Sequence, residues 1–147
     1  MRFRFRYESL LKYRQHLKGK AEVDLARAQQ QLRKSMEILE AYEEGLRQSR
    51  QALDQNLKNN LPSHELQNYS DYFISLEERI GLAEMEMINH ERTVRQKMQT
   101  LLSKTKDFKA IEKLKEKDLE KWNHQQHLDE LKKINEIAII RHGKVSL

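Results

Sequence analysis

Two series of apolar residues that step by seven constrain this chain more than any other feature. The first is Leu25, Leu32, Leu39, Leu46 and Leu53, with Ala28, Ser35, Tyr42 and Ser49 three positions later on the same face. A seven-residue step keeps one seam of an α-helix turned toward a partner helix, so the segment reads as coiled coil. Between Tyr7 and Lys58 there is no proline, and only Gly19 and Gly45 interrupt good helix formers. One helix over about 7–58 is expected.

The pattern stops at Asn59-Asn60-Leu61-Pro62-Ser63. Asparagine tolerates a left-handed cap, proline cannot continue a helix, and Ser63 can cap a new one with Glu65 in its first turn. A second series follows: Leu66, Phe73, Ile80, Met87, Val94, Leu101 and Phe108, with Tyr69, Leu76 and Ala83 as companions. A second helix over about 64–141 is expected. Past Met87 the companions become His90, Lys97 and Lys104, while Met98, eleven residues on, and Thr105 offer a better seam. Such a shift predicts a stutter that locally unwinds the supercoil.

The fold class is therefore all-α, a long antiparallel two-helix coiled-coil hairpin with a longer second helix, forming a single domain over 1–147 around a bend at 59–63. Folding back near residue 61 pairs Leu32 with His90, Leu25 with Lys97 and Lys18 with Lys104, so the hairpin is loosest near Lys18 and Gly19. The first helix is exhausted when the second reaches about 115, which leaves roughly 25–30 residues uncovered. Trp122, Leu128, Leu131, Ile134, Ile137, Ala138, Ile139 and Ile140 lie in this overhang. An exposed apolar stripe marks a partner surface, with Trp122, Leu131, Ile134 and Ile137 its anchors, and self-association is the other way to cover it.

Composition agrees with an extended helical protein. Only 37% of the 147 residues are hydrophobic and 35% are charged, with one proline, four glycines and no cysteine. A compact domain usually has roughly 45–50% apolar residues. Without cysteine there is no disulfide, thiolate nucleophile or cysteine-bound metal. No run approaches the roughly 18 apolar residues that cross a bilayer, and the basic start, Met1 to Arg6, has no apolar stretch behind it. A soluble protein without a secretory signal is expected.

Charge is unevenly placed. Residues 1–20 carry seven bases against Glu8, giving +6; residues 65–91 carry seven acids against Arg79, giving −6; residues 92–121 carry ten bases and five acids, giving +5. Opposite signs at different heights suit different partners. The basic end also raises nucleic acid, where counterion release alone drives binding. Phe3, Phe5 and Tyr7 alternate with Arg2, Arg4 and Arg6. They are read as a frayed, solvated first turn whose rings pack once the helix begins.

Chemistry is hard to place on this chain. The four glycines are isolated and none precedes a Lys-Ser or Lys-Thr pair, so there is no phosphate-cradling loop. Nucleophilic catalysis needs a pocket that a two-helix protein lacks. His124 and His127 share a helical face, but two nitrogens with no definite third ligand read as solvated histidines. His90 reads as a core-edge imidazole, Met85, Met87 and Met98 as gap fillers, and Lys113 to Asp118 as a salt-laced solvent face. No enzyme activity, cofactor or metal is expected.

Three segments resemble one family. Phe3-Arg4-Phe5-Arg6-Tyr7-Glu8-Ser9-Leu10-Leu11-Lys12-Tyr13-Arg14 is an aromatic-basic strip running into a Leu-Leu-Lys-x-Arg helix; Leu66 to Glu78 contains an Asn-Tyr, aromatic and Leu-Glu pattern; Ile111 to Lys117 and Asp129 to Ala138 carry Glu-Lys-Leu and a closing Asp-Glu motif, with Asn135 where aspartate is usual. Together these resemble the FliJ family of flagellar type III export proteins over nearly the whole chain. The resemblance implies a coiled coil that inserts its paired chain ends into the hexameric ring of the flagellar export ATPase and promotes its assembly or activity. It also implies contact with the membrane export gate and with export chaperones, and a cytoplasmic position peripheral to the inner membrane at the flagellar base.

Charge then nominates Arg2, Arg4, Arg6, Lys12 and Arg14, with Lys104, Lys106, Lys109, Lys113, Lys115 and Lys117 beside them, as the contact with acidic loops of the ATPase ring. For the gate, Tyr72 and Leu76 match the family's aromatic and leucine positions, whereas Arg79 and Ala83 depart from its pattern; the surrounding face adds Tyr69 and Phe73. Two other readings stand beside this one: a basic hairpin arm that binds nucleic acid, and a helical chaperone or scaffold that shields clients with its overhang.

Overall fold

A computed structural model describes residues 2–145, which form two α-helices and no strand among the described residues. Helix α1 spans Glu8–Leu57, 50 residues, and α2 spans Ser63–Val145, 83 residues. They pack against each other in opposite directions, as the five-residue connection requires. Helix α2 runs a few residues past the expected Arg141, and residues 2–7 precede α1 without regular structure.

Both ends of the bend follow from side-chain and backbone chemistry. After α1, the Asn59 N–H donates to the Asn56 carbonyl at 3.1 Å, and Asn60 takes a φ of 57°. Asparagine visits this left-handed region more readily than other residues with a Cβ. The Pro62 carbonyl then accepts from the N–H groups of Glu65 and Leu66, both at 3.1 Å. Pro62 therefore opens α2 with its carbonyl, and Ser63 is the first helical residue instead of the cap. Glu65 in the first turn complements the helix dipole.

Contacts gather into two compact units, Met1–Gly19 with Ser103–Leu147, and Lys20–Leu102. In the second of these, Ala21, Ala28, Ser35 and Leu39 of α1 and Leu76 and Ala83 of α2 are buried. Leu25, Leu32, Tyr42, Leu46, Ser49 and Leu53 flank them half-buried, as do Phe73, Ile80, Met87 and Val94. Small residues let the backbones approach, and larger ones cover the sides. Leu66 departs from the seam at 44% exposure. Helix α1 has almost ended there, so α2 has little to pack against.

The expected stutter is absent. His90 and Lys97 stay half-buried in step with Leu76 and Ala83, while Met98 is 52% exposed. A lysine can lie along a seam with its methylene stem and keep its ammonium in water, so an unbroken heptad tolerates Lys97. In the first unit, Ile111 and Phe5 are buried, with Leu11, Leu17, Phe108 and Leu114 half-buried around them.

Candidate functional site

The unit holding both chain ends concentrates the positive charge. It contains seventeen bases and nine acids, net +8, against eleven bases and fourteen acids, net −3, in the unit over 20–102. All eleven bases nominated for a ring contact fall in it.

Its organising feature is the segment before α1. Side chains of the strip alternate in exposure up to the turn that Glu8 closes on the Phe5 carbonyl. Phe3 and Phe5 accordingly turn inward, half-buried and buried, while Arg2, Arg4 and Arg6 are exposed. The Phe3 ring lies 6.0 Å from Trp122, and Phe5 meets the edge of Tyr7 at 5.9 Å. The Arg6 guanidinium sits 5.5 Å over the Tyr7 ring. Glu8, half-buried, accepts from the Lys115 ammonium at 3.0 Å. Phe3, Arg4, Phe5, Glu8 and Lys115 line a shallow depression of about 380 Å³.

The strip is thus clasped onto α2 and is not a solvated first turn. The same contact corrects the overhang. Trp122 is half-buried under Phe3, so it is not an uncovered anchor. The expected end of cover near residue 115 gives no reach along α2 to the residues before α1, but the strip covers more than a residue of helix with each of its own. From the Glu8–Lys115 pair to the Phe3–Trp122 pair, five residues of strip accompany seven of α2. Leu131, Ile134 and Ile137 remain exposed at 43%, 60% and 52%.

The lysines of α2 sort by face. Lys106, Lys109, Lys113 and Lys117, spaced by three, four and four, share one helical stripe and all are exposed. Lys104 and Lys115 are half-buried on the seam side. Arg14 donates to the Asp107 carbonyl at 2.8 Å, and Lys12 is exposed. Lys18 lies 5.1 Å over the Phe108 ring, one turn beyond the expected Lys104. That shift avoids setting two ammonium groups face to face. Arg14 and Lys115 therefore hold the unit together, and eight nominated bases present their charge to solvent.

A second candidate surface lies early in α2, in the acidic unit. The Asn56 amide donates to the Tyr69 hydroxyl at 2.8 Å, and the Phe73 ring lies 6.0 Å from Tyr69 and 6.5 Å from Tyr72. Asn56, Glu65, Asn68, Tyr69 and Tyr72 line a depression of about 360 Å³. Tyr72 is 47% exposed, whereas Leu76 is 4% exposed. Leu76 is thus a seam residue and offers no surface to a partner. Arg50 reaches Glu77 at 3.6 Å across the helices, with both side chains 60% exposed.

The family model described as Flagellar FliJ protein matches residues 3–146. The chain belongs to the FliJ family. A Flagellar FliJ protein of Bacillus subtilis (strain 168) is 24% identical over 143 residues, covering 95% of each chain. No solved structure matches. Membership makes this FliJ-family chain a coiled-coil component of flagellum biogenesis and export. Among the described residues, no helix is long and apolar enough to cross a membrane, and no three His, Asp or Glu side chains cluster where a metal could sit. His124 and His127 are both exposed.

Sequence reasoning missed the Phe3–Trp122 clasp, although its signal was present in the two-residue alternation of rings and arginines. That alternation is a strand-like period placed before a helix, and neither a solvated helix start nor a nucleic-acid strip accounts for it.

Proposed function

We propose that this chain is the stalk-like, non-enzymatic coiled coil of the flagellar export machinery. Its basic end inserts in the hexameric ring of the export ATPase, and its early second helix meets the membrane export gate. The observation that carries this reading is the collection of an arginine strip and a lysine stripe in one compact unit of net charge +8. The aromatic clasp holds the strip, so its arginines face outward without the entropy cost of ordering a free tail at the moment of binding.

Acidic loops of the ring are the complementary surface. An asymmetric two-helix element in a six-fold ring touches only some subunits at a time, which biases the sites that close on nucleotide and favours ring assembly. No chemistry on this chain is required for that. In the acidic unit, Tyr72 offers an exposed ring beside Tyr69 and Phe73, suited to an aromatic hot spot on the gate protein. Export chaperones are a further class of partner, and the protein works in the cytoplasm, peripheral to the inner membrane at the flagellar base.

The test is binding to purified partners. Lys106, Lys109, Lys113 and Lys117→Glu is expected to remove binding to the export ATPase and leave gate binding intact, while Tyr72→Ala does the reverse. If lysine reversal leaves ATPase binding unchanged and instead abolishes salt-dependent binding to arbitrary RNA, the nucleic-acid reading replaces this one.

A further inference from the structure

Helix α2 carries a second apolar face that neither the seam nor the aromatic cluster uses. Ile74, Leu82, Met85 and Ile88 are 55%, 69%, 64% and 47% exposed. At 3.6 residues per turn they fall in an arc of about 120°, on the side of α2 opposite the buried Leu76 and Ala83. All of them lie in the unit over 20–102. Three or four large apolar side chains aligned outward on one helix mark a contact surface more specifically than scattered ones do.

Acids border this stripe. Between residues 70 and 91 there are six acids, Asp71, Glu77, Glu78, Glu84, Glu86 and Glu91, against Arg79. Glu78 lies within the arc, Glu77 and Glu84 along one edge, and Glu86 along the other, about two turns from the exposed Arg79. Glu78, Glu84 and Glu86 are exposed. Gly81 also lies in the arc, and a Cβ added there would meet nothing within 4 Å. The glycine weakens the helix without serving any packing inside the chain, and it leaves a notch between Ile74 and Met85 where another backbone can approach.

We infer that the outward face of α2 from Ile74 to Ile88 docks an amphipathic helix of a partner protein, with apolar residues three and four apart seated on the stripe and Lys or Arg along both edges against Glu77, Glu78, Glu84 and Glu86. Charge selects this occupant. A second copy pairing the same stripe sets acid against acid, and the chain's other exposed apolar stretch, residues 128–140, is no basic match, with three acids and two bases. An anionic lipid surface is repelled. The face is separate from the Tyr72 cluster and independent of the gate and ring contacts.

The probe is a labelled, end-blocked helical peptide of about fifteen residues, with leucines spaced three and four apart and lysine or arginine flanking them. Fluorescence anisotropy with the full chain is expected to give saturable binding that weakens at least about tenfold for Leu82→Glu with Met85→Glu, and for Gly81→Phe, which fills the notch. Glu78, Glu84 and Glu86→Gln together flatten its salt dependence. Tyr72→Ala leaves it unchanged, which separates this site from the gate surface. Unchanged helicity by circular dichroism verifies that each variant is folded. No binding, equal binding by Leu82→Glu with Met85→Glu, or equal binding of a peptide with glutamate flanks overturns the inference. So does a dimer of the full chain, seen by sedimentation, that Leu82→Glu dissolves.

Discussion

In the unit over residues 20–102 the seam is made of Ala21, Ala28, Ser35, Leu39, Leu76 and Ala83, the net charge is −3, and an apolar face points away from the seam. In the unit over 1–19 and 103–147 the buried residues are Phe5 and Ile111, the net charge is +8, and a non-helical strip supplies aromatic cover. The acidic unit is held by a repeat that recurs along both helices, so its stability is spread over many modest contacts. The basic unit depends on a few large rings at particular positions. Removing one residue should therefore be felt differently in the two.

The sharpest difference is expected at Phe5, which is 8% exposed. Phe5→Ala should cost about 3 kcal/mol of local stability and free the strip. Hydrogen exchange should show the amides of Glu8 and Leu11, which donate to the Phe5 and Tyr7 carbonyls, losing protection while the heptads over 20–102 keep theirs, and Trp122 emission should shift to the red. Equal loss of protection in both units breaks the comparison. Leu76→Ala in the acidic unit should cost about 2–3 kcal/mol in a urea melt, whereas Tyr72→Ala, on the same helix but half in water, should cost about 0.5 kcal/mol or less. Similar costs at both positions contradict the assignment of Leu76 to the seam.

At the bend, Asn60→Val should cost about 1–2 kcal/mol because a β-branched residue resists the left-handed backbone, while Asn60→Gly should be nearly neutral in the same thermal melts. The smallest effect is expected at Arg50. Its pair with Glu77 is long and well exposed, so Arg50→Ala should change stability by no more than about 0.5 kcal/mol.

Much of the fold was legible because heptads report directly on which side of a helix faces its partner. Both helices and the burial of Ala28, Ser35, Leu39, Leu76 and Ala83 follow from that period, and the reversal at Pro62 from the asparagine and proline that interrupt it. Three features were not. The stutter at Met98 was inferred by scoring Lys97 as polar, but a lysine stem is apolar for most of its length. Trp122 falls in the expected overhang because a frayed, solvated start gives the strip no reach along α2, whereas Phe3 packs on that ring. Leu76 carries two readings in the sequence, a gate contact and a seam companion, and its burial leaves only the seam. The grouping of the arginine strip with the lysine stripe was visible as charge. The sorting of exposed from engaged bases was not, because it depends on Glu8 and the Asp107 carbonyl lying within reach of Lys115 and Arg14.

Whether the basic unit is the part that acts on the ATPase can be measured by comparing equal charge reversals in the two units. Arg2, Arg4 and Arg6→Glu and, separately, Glu78, Glu84 and Glu86→Lys are to be assayed for stimulation of the purified export ATPase, at one salt concentration and with helicity matched. The arginine reversal is expected to reduce stimulation at least about tenfold, and the glutamate reversal to leave it within about twofold. Stimulation that survives the arginine reversal, or that falls equally with both, contradicts the account.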